Sequence, residues 1–111
     1  MKLPNGNHAF IEVEKVSAYL LSESHPVGRL KAQFFRGLGF RRSNPHALVA
    51  ALQTLGREEE VVDRIETPFG IKYVVDGTVI GLRGSANVRT VWHARDEEGA
   101  PRLVTAYPVR R

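Results

Sequence analysis

The spacing of the apolar residues changes near residue 60, and this change constrains the fold more than any other feature of the sequence. Before it, Leu48, Leu52 and Leu55 follow the three- and four-residue spacing of a buried helix face. After it, apolar side chains recur at every second position of residues 71–75, which is the period of a half-buried strand. Helices followed by antiparallel strands predict an α+β domain. We expect two or three N-terminal helices packed on a C-terminal antiparallel meander of four or five strands.

Three helices are predicted in the first half. The first covers about residues 13–21, after a short strand or hydrophobic staple at residues 9–11. The second begins near Pro26 and ends at Gly39, and the third begins at Pro45 and ends at Gly56, since proline suits a first helical turn and glycine a helix end. The second helix is predicted to face the core with Leu30, Phe34 and Leu38.

The second half is predicted to form the meander. Asp76-Gly77 is a strong hairpin signal between alternating segments, and residues 83–87 indicate another turn. In the last two strands, alternation separates Val88, Thr90, Trp92 and Ala94 from Arg89, Val91 and His93. It also places Leu103, Thr105 and Tyr107 on one face, opposite Arg102, Val104 and Ala106.

Composition limits the classes of protein to consider. A chain of 111 residues suits a single domain, residues 1–111. It has no cysteine, which excludes disulfides and thiolate metal sites. The apolar runs are too short to span a bilayer, and the first residues lack a signal peptide's apolar stretch. We therefore expect synthesis inside the cell, a cytoplasmic location and no membrane partner.

Positive charge is concentrated in one part of the chain. The net charge is +4, but residues 24–57 contain six arginine or lysine residues and no aspartate or glutamate. Such a region favours a polyanionic partner, because each neutralised phosphate releases a counterion. The alternative is a solvated face that keeps the protein soluble. The six cations are Arg29, Lys31, Arg36, Arg41, Arg42 and Arg57.

A few residues could carry chemistry on a phosphodiester. A neutral imidazole at His25, near Arg29 and Lys31, could accept a proton from a ribose 2′-hydroxyl, although His25 could equally cap a loop before a proline. Cations stabilise the charge of the transition state in RNA cleavage. A strand cation such as Arg89 must find a partner or reach the surface. Thr105 and Tyr107 could donate hydrogen bonds to phosphate, but both residue types are also common in strands.

Several signatures are absent from the sequence. It contains no phosphate-binding glycine loop, no dinucleotide-binding glycine motif and no His-Glu-x-x-His. The four histidines are scattered without metal-ligand spacing, so neither a metal site nor a cofactor is predicted. Any nuclease chemistry is therefore expected to be independent of metal ions.

Four segments carry a resemblance to a known family: "LPN" at residues 3–5, "HPVGRLKAQFF" at 25–35, "RTVW" at 89–92 and "PRLVTAYP" at 101–108. From Leu3 to Pro108 the chain resembles a family of small bacterial domains of unknown function, which occur alone or as C-terminal modules of phage-related and secreted toxins. The order of helices and strands is also similar to that of the barnase–EndoU–colicin–RelE superfamily of metal-independent ribonucleases. The resemblance implies catalytic roles for His25, Lys31, Arg89, Thr105 and Tyr107. The RNA or phosphate-binding candidates are Arg29, Arg36, Arg41, Arg42 and His93, with His93 also a second-rank acid.

The leading hypothesis is a toxin-type endoribonuclease that leaves a 2′,3′-cyclic phosphate. His25 would act as general base or acid, cations would hold the phosphate, and Thr105 and Tyr107 would orient it. Its partners would be RNA and an acidic antitoxin or immunity protein, with delivery into a neighbouring cell if the toxin is secreted. A second hypothesis is a non-catalytic interaction module of a toxin–antitoxin or phage system. A third, a helix-turn-helix bound to DNA, is disfavoured because the apolar third helix leaves little polar surface for reading bases.

Overall fold

The computed structural model describes residues 1–21 and 29–109, and for Ala18, Tyr19, Arg29 and Leu30 it describes the backbone alone. Within these residues, three helices precede a four-stranded antiparallel sheet, which confirms the predicted α+β fold. None of the described helices has the length and apolar content needed to cross a bilayer. The elements are α1 Val13–Lys15, α2 Arg29–Gly37, α3 Pro45–Glu58, β1 Val61–Thr67, β2 Gly70–Gly81, β3 Gly84–Ala94 and β4 Arg102–Pro108.

The sheet is a simple meander with the strand order β1-β2-β3-β4, so consecutive strands are neighbours. Helix α3 packs on β2, and its Leu48, Leu52 and Leu55 are buried as the sequence predicts. The largest buried side chains of the strands are Trp92 and Tyr73, which lie on the helix side of the sheet. We call this helix-covered side the inner face.

The predicted hairpin at Asp76-Gly77 is wrong, because β2 runs without interruption from Gly70 to Gly81. The chain reverses after Gly81, and β3 begins at Gly84, so most of the predicted turn at residues 83–87 is strand. Glycine is required at position 77 for a different reason. A Cβ there would lie 2.8 Å from Leu55 Cγ, so its absence lets α3 approach the strand closely.

The predicted end of the third helix at Gly56 is also wrong, since α3 continues to Glu58. The indole ring of Trp92 lies directly against Gly56. A Cβ at position 56 would be 2.9 Å from Trp92 Cε2. The glycine therefore makes room for the largest side chain of the core rather than ending the helix.

Leu38 of the second predicted helix faces the core as expected, but the other buried positions of α2 differ from the prediction. Ala32 and Phe35 are fully buried and Leu38 is nearly so, whereas Phe34 is only partly buried against the core. The three-residue spacing of the buried residues replaces the predicted four-residue one. The end of the helix is as predicted, because Phe40 N–H donates to the carbonyl of Phe35 over 3.1 Å. Pro26 lies outside the described residues, and the Leu30 side chain is not described.

The N-terminal segment holds α1 against the edge of the sheet. Helix α1 continues as one wider π-helical turn, Val16–Leu20, with Val16 and Leu20 fully buried. Ahead of it, Phe10 forms a bridge with Arg102 at the start of β4, where a short strand or staple is predicted. This bridge brings α1 beside β4, the last strand of the sheet.

Candidate functional site

The side of the sheet opposite Trp92, here called the outer face, collects the polar side chains of three strands. The register aligns Asp76 with Arg89 and Arg89 with Tyr107. One row further, Val91 aligns with Thr105. Paired residues of neighbouring strands project to the same side of a sheet. The outer face consists of Lys72, Val74 and Asp76 of β2, Arg89, Val91 and His93 of β3, and Arg102, Thr105 and Tyr107 of β4.

A bulge in β4 determines which of its side chains reach this face. Leu103 pairs with Trp92 and Thr105 with Val91, which leaves Val104 as an extra residue between them. The prediction that Leu103 shares a face with Thr105 is therefore wrong. Leu103 and Ala106 are both buried on the inner face, whereas Thr105 faces outward.

A carboxylate that is 8% exposed holds Arg89 on the outer face. Asp76 Oδ1 accepts from Arg89 Nε over 2.8 Å, and Asp76 Oδ2 accepts from Arg89 Nη2 over 2.9 Å. These bonds raise the pKa of Arg89 above its ordinary value, and the neighbouring Tyr107 adds a smaller contribution in the same direction. Arg89 is therefore a permanent cation in a fixed position, which suits it to binding charge rather than transferring protons.

The second cation of the face comes from a helix. Lys31 Nζ, in the first turns of α2, donates to Thr105 Oγ1 over 3.0 Å. The same ammonium lies 5.8 Å from the centre of the Tyr107 ring, within the range of a cation–π contact. The hydroxyl and the ring thus hold the lysine against β4.

Four of the predicted catalytic side chains therefore lie together on the outer face: Lys31, Arg89, Thr105 and Tyr107. They come from α2, β3 and β4, and residues 74 positions apart in the sequence are in direct contact. The fifth, His25, lies outside the described residues. Arg29 begins α2, but its side chain is not described.

The remaining predicted phosphate ligands lie elsewhere. Arg36 donates to the Ala32 carbonyl of its own helix over 3.3 Å, and its position is about 140° around the helix axis from Lys31. Arg41 and Arg42 follow the opposite end of α2, where Arg42 donates to the Ser17 carbonyl over 3.1 Å.

His93 lies on the outer face but at a distance from Arg89. Four residues of strand separate the two positions, which corresponds to about 13 Å. The imidazole packs over Gly70 of β2, since a Cβ at position 70 would lie 2.8 Å from His93 Nε2. The ring thus contacts the β1–β2 end of the sheet.

Sequence reasoning missed three contributors to this face. Asp76 was interpreted as a turn residue, and no local signal connects it with Arg89, which is 13 positions away. Lys15 donates to the Val104 carbonyl over 3.1 Å, and Arg102 is bound by Glu12 over 2.8 Å. Both contacts join positions about 90 residues apart, so they follow only from the tertiary fold.

Comparison with protein families gives a match over residues 2–110 to a domain of unknown function, DUF6883. The chain belongs to this family. Comparison with curated proteins finds no match. Among solved structures, one chain of the contact-dependent growth inhibition toxin–immunity protein complex from Klebsiella pneumoniae 342 is similar, with a TM-score of 0.68 and 19% identity. The alignment covers 89% of this chain and 98% of that chain, and at this identity the similarity concerns the fold.

In this member of DUF6883, the outer face offers the donors that a tetrahedral anion requires. Arg89 uses Nε and Nη2 on Asp76, and its Nη1 lies outside that ion pair. Lys31, Thr105 and Tyr107 add an ammonium and two hydroxyls next to it. Among residues 1–21 and 29–109, no three histidine, aspartate or glutamate side chains are grouped as metal ligands would be.

Proposed function

We propose that this domain is a toxin-type, metal-independent endoribonuclease of the barnase–EndoU–colicin–RelE superfamily. The observation that carries the proposal is the 3.0 Å contact of Lys31 Nζ with Thr105 Oγ1, with Tyr107 and Arg89 alongside. The fold similarity to a chain of a toxin–immunity protein complex adds support for the toxin class.

The reaction is a transesterification within one RNA strand. The ribose 2′-oxygen attacks the adjacent phosphorus, the P–O5′ bond breaks, and the products are a 2′,3′-cyclic phosphate and a 5′-hydroxyl. A base removes the 2′-hydroxyl proton and an acid protonates the leaving oxygen. Negative charge accumulates on the non-bridging oxygens in between, and fixed cations lower the energy of that state.

Each residue has a specific role in the proposal. Arg89, positioned by Asp76, and Lys31 bind the scissile phosphate, while Thr105 and Tyr107 orient it. Arg29 adds positive charge at the start of α2. His25 serves as general base or acid, the role that its position ahead of the same helix suggests.

The proposal extends to partners and location. A basic domain that cleaves RNA in the cytoplasm needs an inhibitor in the cell that makes it, and an acidic immunity protein or antitoxin would complement the net charge of +4. If the domain is part of a secreted toxin, its targets are the RNAs of a neighbouring cell.

The test is an RNA cleavage assay in excess EDTA, with product ends identified by mass spectrometry. We expect cleavage with cyclic phosphate ends, lost in His25→Ala and reduced about 10²- to 10³-fold in Lys31→Ala, the usual cost of removing one transition-state donor. Arg57→Ala on α3 is the charge-matched control and retains activity. Absence of cleavage by the wild type, or equal activity of Lys31→Ala and Arg57→Ala, would contradict the proposal.

A second candidate, a non-catalytic interaction module, is favoured by one feature. Ile80, near the end of β2, and Leu82, in the β2–β3 turn, are 75% and 95% accessible and line a cleft together with Phe40. Exposed apolar side chains next to a cleft are typical of protein interfaces. A wild-type protein that leaves RNA intact in the assay above, with or without divalent metal, would favour this candidate.

A further inference from the structure

Two lysines from different helices bind consecutive residues of β4. Lys31 Nζ of α2 donates to Thr105 Oγ1 over 3.0 Å, and Lys15 Nζ of α1 donates to the Val104 carbonyl over 3.1 Å. The two residues are consecutive in the sequence, and the bulge leaves Val104 without a partner on β3. Two ammonium groups are therefore held side by side along the edge of the sheet.

An arginine lies beyond each end of this pair of ammonium groups. Arg89 lies beside Tyr107, and Arg102 begins the strand with a side chain that is 60% exposed. From residue 102 to residue 107, β4 is about 16 Å long. Along that length the order of cations is Arg102, Lys15, Lys31 and Arg89, which we call the β4 cation row.

The end of the row remote from Arg89 has a cavity of its own. The residues that line it are Glu12, Lys15, His93, Arg102, Leu103 and Val104. Glu12 fixes Arg102 through a 2.8 Å ion pair on Nη1, so the other guanidinium donors point elsewhere. Lys15 uses one of three ammonium donors on Val104.

We propose that the β4 cation row binds the backbone of a single RNA strand, with Lys15 and Arg102 forming a subsite for a phosphate that neighbours the scissile one. This inference rests on the proposed function and assigns it a substrate class, single-stranded RNA. A single file of cations along one strand matches one sugar–phosphate chain, and its length suits several nucleotides. Glu12 and His93 border the same cavity and are positioned to contact the sugar or base.

The experiment measures binding separately from cleavage. The probe is a fluorescein-labelled oligouridylate of about 12 nucleotides, 2′-O-methylated throughout so that it has no attacking hydroxyl, titrated by anisotropy at increasing salt. Lys15→Ala and Arg102→Ala should each reduce the slope of log K against log salt by about 0.7, the value for one lost phosphate contact on a single strand.

Charge-matched and charge-conserving variants make the result specific. Arg57→Ala and Arg83→Ala, exposed cations of α3 and the β2–β3 turn, should keep the wild-type slope. Arg102→Lys should keep most of it, because a lysine retains the point charge. Equal slopes in Lys15→Ala, Arg102→Ala and the two controls would overturn the cation row.

Two further outcomes separate the alternatives. If the wild type cleaves no RNA but the slopes differ as expected, the proposed function fails and the row stands as a binding site. If polyglutamate of the same length competes as well as the oligonucleotide, and loses affinity equally in Lys15→Ala, the row is a general polyanion or acidic-protein surface and the assignment to RNA is wrong.

Discussion

The polar side chains on the two faces of β3 differ in their exposure and in their partners. On the inner face, Trp92 Nε1 donates to Thr90 Oγ1 over 2.8 Å, and that hydroxyl donates to the Val75 carbonyl over 2.7 Å. Both hydrogen bonds join groups within the core. On the outer face, Arg89 is held by Asp76 but its side chain remains 36% exposed.

Within one strand, the difference separates polar side chains whose partners all lie in the core from a polar side chain that remains accessible to a ligand. A buried hydroxyl with both partners inside the protein stabilises one packing arrangement. A cation that is anchored on one side and open on the other is preorganised for a ligand. The comparison therefore predicts that inner-face substitutions reduce stability, whereas outer-face substitutions reduce activity at nearly constant stability.

The largest effect is expected at the centre of the inner face. Trp92→Ala removes a fully buried ring that fills the space beside Gly56 and should lower the free energy of unfolding by about 3–5 kcal/mol. Because Trp92 is the only tryptophan, urea unfolding should be followed by circular dichroism. Leu82→Ala, at a side chain that is 95% exposed, is the control, and equal losses in the two variants would refute this description of the core.

Thr90→Val tests the inner hydrogen-bond chain without changing side-chain shape. It leaves the buried Trp92 N–H and the Val75 carbonyl without the hydroxyl, and should cost about 1–3 kcal/mol of unfolding free energy. RNA cleavage per folded molecule should be unchanged. A Thr90→Val protein as stable as the wild type would show that the chain contributes nothing to the core.

Asp76→Asn tests the anchor of Arg89 and is the exception on the outer face, where a loss of stability is also expected, because the Asp76 carboxylate is nearly buried whereas Arg89 is partly exposed. Since Arg89 is partly exposed and screened, we expect a loss of about 1–2 kcal/mol of unfolding free energy, together with slower cleavage as Arg89 loses its position.

The pH dependence of that loss has a definite sign. The pKa of Arg89 is raised by folding, so its stabilising contribution is complete below the ordinary arginine value and disappears only at higher pH. The deficit of Asp76→Asn should therefore be constant from neutral pH to about pH 10. A double-mutant cycle with Arg89→Met, which removes the charge but keeps an unbranched side chain, measures the coupling, and additive effects would exclude the ion pair as its cause.

The smallest effect is expected from the outer counterpart of Thr90→Val. Thr105→Val keeps the β-branched shape and should change stability by less than about 0.5 kcal/mol. Because Lys31 loses the acceptor that fixes its position, single-turnover cleavage should fall by about 2- to 10-fold, the equivalent of one ordinary hydrogen bond. A loss of stability equal to that of Thr90→Val would remove the distinction between the faces.

Periodicity was sufficient for much of the fold. The α+β class, the start of α3 at Pro45, its leucine stripe and the assignment of Arg89, Val91 and His93 to one side of β3 all follow from local spacing. The hairpin prediction at Asp76-Gly77 failed because in this protein the dipeptide makes long-range contacts within a continuous strand. Its glycine admits α3, and its carboxylate binds Arg89, so neither function is visible in the surrounding residues.

In the candidate site, too, some residues could be selected from the sequence and others could not. Residue chemistry was enough to select Lys31, Arg89, Thr105 and Tyr107, which the fold brings together, because cations and hydroxyls on strands and helix starts are the usual phosphate ligands. Lys15 and Asp76 could not be selected, since their importance depends on which carbonyl or guanidinium lies across the sheet. Their roles in ligand binding, like that of His25, stay predictions for the experiments above.

The extra residue at Val104 has a consequence for comparing members of this family. It offsets the two halves of β4 by one position, so Leu103 can point toward Trp92 while Thr105 and Tyr107 point away from it. A homologue shortened by one residue there would keep Thr105 and Tyr107 on the outer face by regular alternation, whereas a strand of the same length without the bulge would turn both side chains into the hydrophobic interior. Alignments that place no gap opposite Val104, when the homologue lacks the extra residue, will equate side chains from opposite sides of the sheet.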